Sequence, residues 1–181
     1  MNDLTHYIAA KCKTLRAEKG WSLDQTALHT GVSKAMLGQI ERAESNPTVL
    51  TLWKIALGFQ SSLSYFLPKE TVVQPTLSHE TEPLSVRLIQ PYNEQIGYEI
   101  LLVRLEAYAQ HASCAHAAGV SEDLLPLNGA LKLQLQTALF LVQPGENLRF
   151  AADQTHLYLN PNPFELQFYN IVHYAKLHKD S

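Results

Sequence analysis

The residues best suited to chemistry lie in two stretches of the second half of the chain. "HASCAHAAGVSED" supplies His111, Cys114, His116 and Glu122, and "THLYLN" supplies His156 and Tyr158. Two imidazoles and a carboxylate on facing strands are a ligand set for zinc, manganese or non-haem iron. A lone strand histidine is also commonly a hydrogen-bonded structural residue, so His156 reads equally as a satisfied core group. A third reading is a metal-free pocket whose polar groups hydrogen-bond a small molecule directly.

Such a constellation needs a rigid β scaffold to hold it. Beyond residue 84 the hydrophobic period is two, and "YEILLVRLE", "LKLQLQ", "NLRF", "THLYLN" and "FELQFYNIVHY" read as strands. Asn128-Gly129 predicts a two-residue hairpin, and Pro144-Gly145 and Pro161-Asn162-Pro163 mark further turns. If His156, Tyr158 and Asn160 face inwards, Leu157 and Leu159 face outwards. An outward leucine pair points to a cover, most simply a second subunit.

The first third has a different rhythm. Apolar residues recur at helical spacing and predict five helices, near 4–19, 22–29, 33–43, 48–57 and 61–66. Ser22 with Gln25 makes a capping box, Ser33 and Thr48 are N-cap candidates, and Gly20, Gly31 and Gly58 punctuate the ends. The helix closed by Gly31, the short turn and the helix capped by Ser33 have helix-turn-helix spacing. Leu37 and Ile40 must point to the core, which leaves Lys34, Ala35, Gly38, Gln39 and Arg42 outside. That narrow polar face suits a DNA major groove about 12 Å wide. Ala27 and Gly31 are read as small residues where helices approach closely.

Between the halves runs "PKETVVQPTLSHETEP", without periodicity, which reads as a linker. The domains are expected at 1–67, 68–84 (linker) and 85–181. Net charge is −3, but residues 1–68 carry seven Lys/Arg against five Asp/Glu, and the remainder seven against twelve. A mildly basic module joined to an acidic one suits DNA contact by the first part alone. Cys12 and Cys114 fall in different halves, so no disulfide is expected. No basic region followed by an apolar stretch opens the chain, and no run is long enough to span a membrane. The expected setting is the reduced cytoplasm, with no membrane partner.

"GVSKAMLGQIERAESNPTVLTLWKIA" resembles the XRE family, the lambda/434-repressor-like helix-turn-helix proteins, over about residues 10–67. The resemblance implies a five-helix domain that reads double-stranded operator DNA through the helix 33–43. It places Lys34, Ala35 and Gln39 at base-facing positions, Lys34 suited to guanine and Gln39 to adenine. Ser22, Ser33, Arg42 and Thr48 are the candidates for the DNA backbone. Arg16 and Glu41 match a family ion pair that ties the first helix to the third. Many members carry Gln where this chain has Leu23, which transfers a contact there to Ser22 or a helix N-terminal N–H.

The second half resembles the cupin family over about residues 85–174. Gly145, His156 and Asn160 stand at the positions of its second motif, with Ala151 and Asp153 replacing Pro and Gly. Glu122 and Gly129 satisfy the end of its first motif. Cys114 replaces the first histidine of that motif, His116 keeps the second, and one extra residue separates His116 from Glu122. The resemblance implies an all-β cupin barrel, a double-stranded β-helix with a central pocket. His116, Glu122, His156 and Tyr158 are the candidate effector-pocket residues. His116, Glu122 and His156, with Cys114 as a possible fourth, are the candidate ligands of one divalent metal, zinc by preference.

As a whole the chain resembles cupin-bearing XRE-family regulators. Within them it is most similar to bacterial sulfur-utilisation regulators, through "GVSKAMLGQIER", "TLWKIA" and "LRFAAD". The function implied is that of a homodimeric transcriptional regulator, not an enzyme. Its barrel would bind a small-molecule effector such as a sulfur-containing amino acid or a related metabolite. Two alternatives stay open: a metalloenzyme of the non-haem iron oxygenase or epoxidase type, and a barrel that serves only to dimerise.

Overall fold

The computed structural model describes residues 2–68, 76–77 and 83–174. The chain divides into two compact units, residues 1–73 and 74–181. The first contains α1 (Asn2–Glu18), α2 (Leu23–Thr30), α3 (Lys34–Glu41) and α4 (Val49–Phe59). Instead of a fifth α-helix, Leu63–Phe66 form a single 3-10 turn. Four residues are too few to close a regular α-helical ladder.

The expected caps fall into place. Ser22 and Gln25 exchange side-chain and backbone hydrogen bonds, and Ser33 and Thr48 accept the backbone N–H three residues on. Each satisfies donors that a helix N-terminus leaves without partners. Gly31 closes α2 as expected but is not a site of close helix approach, and Gly58 reverses these two roles. Gly31 adopts the left-handed conformation (φ 66°) at the end of α2, and a Cβ there would meet nothing. Its function is conformational. Gly58 is not a stop signal: α4 continues through it and ends at Gln60, itself left-handed. A Cβ on Gly58 would lie 2.6 Å from Thr30 Cα, so this is where α4 meets the end of α2. Ile8, Cys12, Leu37, Ile40, Leu52, Ile55 and Phe66 fill the core.

The second unit is built from two antiparallel sheets. One has the order β1-β2-β3-β10-β5-β8 and the other β4-β9-β6-β7. The strands are β1 (Thr76–Leu77), β2 (Leu84–Gln90), β3 (Tyr98–Leu105), β4 (Gln110–Ser113) and β5 (Ser121–Pro126). They continue with β6 (Leu131–Leu135), β7 (Ala138–Val142), β8 (Leu148–Ala151), β9 (His156–Leu159) and β10 (Leu166–His173). Leu84, Leu101, Leu105, Leu124, Leu131, Leu133 and Phe168 form the core between the sheets. Within the expected linker, Thr76 and Leu77 pair with Arg87 and Val86, and Leu84 already opens β2. Most of the remaining linker, 69–75 and 78–82, lies outside the described residues.

Asn128-Gly129 does not form the expected hairpin, because β5 and β6 belong to different sheets. The segment crosses between them, held by Asn128 Nδ2 donating to the Glu165 carbonyl and Asn128 Oδ1 accepting from Gln167 N–H. The two-residue hairpin is Gln136-Thr137, with Leu135 opposite Ala138 and Gln136 at φ 51°. Asn160 closes the corner after β9: its Nδ2 reaches the carbonyls of Leu105, Glu106 and Phe164 at 2.8–3.0 Å. It is therefore a structural corner residue and not a pocket group. No helix among the described residues is long and apolar enough to cross a membrane.

The approach at Gly58 yields a stability test. Gly58→Ala would add about 1 kcal/mol of helix propensity. The new methyl meets backbone it cannot displace, and overpacking of this kind costs about 1–3 kcal/mol. A net loss of unfolding free energy is expected in denaturant titration; a stabilised variant would contradict the close approach.

Candidate functional site

The helical unit presents a polar ridge. On α3, Leu37 and Ile40 are buried while Lys34, Ala35, Gln39 and Arg42 are exposed. Gly38, expected outside, is buried: a Cβ there would lie 3.9 Å from Leu23 Cδ1 and 3.1 Å from Arg42 Nη1. Leu23 therefore faces the α2–α3 contact. Ser22 and Ser33 are exposed at their helix N-termini, and Thr48 is half-buried with its hydroxyl 3.0 Å from that of Thr51. Lys34 Nζ lies 2.8 Å from Asp24 Oδ2, and Arg42 is paired through two nitrogens with Glu44.

Behind this ridge, Arg16 grips Glu41 bidentately at 2.7 and 2.9 Å and also donates to the Trp21 carbonyl. Glu41 is buried, so the fork supplies the donors its carboxylate would otherwise lack. The pair fixes α3 against α1.

In the β unit a second constellation gathers inside one end of the barrel. Strand β9 contributes His156 and Tyr158, β5 Glu122, β10 Asn170, and the segment after β4 His116. Tyr158 Oη donates to Glu122 Oε2 and lies 2.9 Å from His156 Nε2; Asn170 Nδ2 donates to the same carboxylate oxygen at 2.9 Å. His116 Nε2 sits 2.8 Å from Glu122 Oε1, a close polar contact without hydrogen-bond alignment. His156 Nε2 is 3.8 Å from that oxygen, and its Nδ1 is 3.0 Å from the Gln154 carbonyl.

Burial pushes the Glu122 carboxyl up. The contact with His116, the nearby imidazoles and the Tyr158 hydroxyl outweigh it and hold the group below its ordinary value. Burial pulls His156 down, more than the Glu122 charge and the Gln154 carbonyl raise it. Burial next to Glu122 keeps the Tyr158 phenol well above its ordinary value. Glu122 is thus a carboxylate that accepts from the Tyr158 phenol and the Asn170 amide.

The structure brings together four residues singled out in the sequence, His116, Glu122, His156 and Tyr158. Cys114 is exposed and stands apart from them. It lines a surface cleft of about 380 Å³ with Ser113, Gln134, Gln136, Thr155 and His156. The His111 ring stacks on that of Tyr158 at 6.4 Å. As placed, the expected metal ligands are engaged with one another and with Tyr158. Among the described residues no three His, Cys, Asp or Glu are arranged to hold a metal ion. The arrangement does not fit a bound cation without Tyr158 leaving His156.

Sequence reasoning missed Asn170 and Glu99, both fully buried. Tyr174 Oη donates to Glu99. Each is a polar residue in phase with core positions, Glu99 with Leu101, Val103 and Leu105, Asn170 with Phe168 and Val172. That is the signal that would have found them. On the outer face of the smaller sheet, Leu157 and Leu159 are only half-buried, while Leu139 and Leu141 of β7 are exposed. Gln134 lies opposite both Leu157 and Leu139, and Lys132 opposite both Leu159 and Leu141.

Comparison with known proteins agrees with both units. Residues 13–66 match the helix-turn-helix family model HTH_3. The HTH-type transcriptional regulator SutR of Escherichia coli strain K12 is 37% identical over 177 residues, covering 97% of this chain and 99% of that protein. A solved HTH_3-family transcriptional regulator from Vibrio cholerae is 39% identical with a TM-score of 0.82, over 96% of this chain and 98% of that one. The solved cupin domain of an XRE-family transcriptional regulator from Enterobacter cloacae is 26% identical. It covers 52% of this chain and 99% of that one, with a TM-score of 0.50. With a relative of that identity along nearly its whole length, this chain belongs to the XRE-type helix-turn-helix transcriptional regulators that carry a C-terminal cupin domain.

Proposed function

We propose that the chain is a cytoplasmic, dimeric regulator that reads operator DNA with α3 and binds a small-molecule effector in its barrel, without catalysing a reaction. The observation that carries this reading is the division of α3. Leu37 and Ile40 are buried, and Lys34, Ala35, Gln39 and Arg42 stand in solvent, in a chain whose full-length relatives are regulators. Lys34 and Gln39 then read base edges, and Ser22, Ser33, Arg42 and Thr48 hold the phosphate backbone. Two copies related by a twofold axis read an inverted repeat with half-sites about 10 bp apart. The effector binds one arrangement of the dimer more tightly and so shifts its affinity for DNA. Similarity to sulfur-utilisation regulators makes a sulfur-containing amino acid or related metabolite the first choice of effector. The engagement of Glu122 by protein donors favours a binding role over catalysis.

A second reading concerns the same cluster. The gathering of His116 and His156 within 4 Å of one Glu122 oxygen favours a site for one divalent ion, zinc by its ligands. It requires Tyr158 to turn away. Metal analysis of protein purified without chelators separates the two: the direct-binding reading expects only traces. About one zinc per chain, lost in His156→Ala, would establish the metal site instead.

Lys34→Ala and Gln39→Ala should each weaken operator binding by about 1–3 kcal/mol while changing non-specific DNA binding far less. Equal losses on both DNAs, measured at one salt concentration, would remove the base-reading assignment. For the dimer, Leu139→Glu combined with Leu141→Glu should halve the mass in sedimentation and weaken operator binding by about 10²-fold. A wild-type chain already monomeric at micromolar concentration would refute the covered leucine face.

A further inference from the structure

Tyr158 bridges two groups that the cluster would otherwise offer to a cation. Its Oη lies 2.9 Å from His156 Nε2 and donates to Glu122 Oε2, so one oxygen joins the imidazole to the carboxylate. The Asn170 amide, which donates to the same carboxylate oxygen, also comes within 3.5 Å of that hydroxyl. Whichever partner carries the proton between Nε2 and Oη, the Nε2 lone pair is not open to a metal ion. The other nitrogen, Nδ1, faces the Gln154 carbonyl, so both nitrogens of His156 are committed.

The remaining donors of the set are not committed in this way. Glu122 Oε1 and His116 Nε2 are buried without hydrogen-bond partners, 2.8 Å apart, and His156 Nε2 stands 3.8 Å from the same oxygen. Nitrogen and oxygen ligands about 2.0–2.2 Å from one tetrahedral zinc lie roughly 3.3–3.5 Å from each other. The two observed separations straddle that range, so small shifts of the imidazoles would satisfy it. A single bridging hydroxyl separates this cluster from a metal site.

Packing holds the phenol in that place. Tyr158 is fully buried on β9, with Leu133 of β6 opposite it on one side and His111 of β4 on the other. Its ring lies 5.6 Å from that of Phe168 on the larger sheet and stacks on His111 at 6.4 Å. Turning the side chain away would open a cavity in the core and take a donor from a buried carboxylate. We propose that Tyr158 is the residue that closes this barrel to metals. Its hydroxyl takes the place between His156 and Glu122 that a divalent cation needs, and removing that one oxygen converts the cluster into a zinc site. This deepens the direct-binding reading above and rests on it: the effector meets protein groups and not a bound ion.

Titration of the full-length protein with zinc chloride after chelator treatment tests this. Tyr158→Phe is expected to take up about one zinc per chain, about 100-fold more tightly than wild type. That uptake should vanish when His156→Ala is added to the variant. At zinc concentrations about 100-fold above its dissociation constant, the variant should melt about 10 °C or more higher than in chelator, with little change for wild type. If Tyr158→Phe is unfolded in chelator, recovery of its native circular dichroism with zinc supports the proposal equally. Failure of both Tyr158→Phe and Tyr158→Leu to fold with zinc would overturn it. No tight zinc in either wild type or a folded Tyr158→Phe would also overturn the role of Tyr158 and leave the direct-binding reading standing. Tight zinc in wild type, lost in His156→Ala, would overturn both.

Discussion

An ionised carboxylate cut off from water must be given donors by the protein, and Glu122 imposes that condition on the whole barrel. Two donors reach its Oε2, Tyr158 from the opposite sheet and Asn170 from the neighbouring strand, while His116, from the segment after β4, lies against Oε1 without hydrogen-bond alignment. Slipping β9 by one residue would turn Tyr158 outwards and leave the charge stranded. The register of β9 against β4 and β6 is thus coupled to the burial of one charge in the other sheet.

The helical unit solves a smaller version of the same problem. Glu41 is buried at the end of α3, and Arg16 of α1 answers it with a two-nitrogen fork. In both units a buried acid on one element is paired with a donor from a distant one. The apolar contacts supply cohesion, while these polar contacts select one arrangement among many of similar apolar burial. The orientation of Lys34 and Gln39 towards solvent follows from the one, and the inward turn of His156 from the other.

How much of this was legible in the sequence depended on range. The caps at Ser22, Ser33 and Thr48 were readable because a cap and the N–H it accepts from lie within three residues. The division of α3 followed from helical spacing, and the Arg16–Glu41 pair and the placing of His156 followed from family resemblance. What escaped was non-local or broke the expected alternation. Strand β7 reads Ala-Leu-Phe-Leu-Val, without the polar positions that mark a half-buried strand, and β5 opens on Ser-Glu-Asp, which resembles a loop. Asn128-Gly129 carries a hairpin signal, yet the strands that flank it join different sheets, a fact of topology that no short window contains. Glu99 and Asn170 were hidden because a polar residue in a core phase looks like an interruption of the pattern.

Lys34 and Arg42, two cations of the polar ridge, are each paired with an acid of the same unit, Asp24 and Glu44. A cation already paired must give up its pair before it can displace the counterions condensed on DNA, and counterion release is the main drive for sequence-independent attachment. Moving either side chain onto a duplex also frees an acidic group beside a polyanion. If this face meets DNA as proposed above, it holds random DNA weakly and leaves the wrong sequence fast. Search along the chromosome would then proceed by many brief encounters, with long residence only where the bases compensate for the two broken pairs.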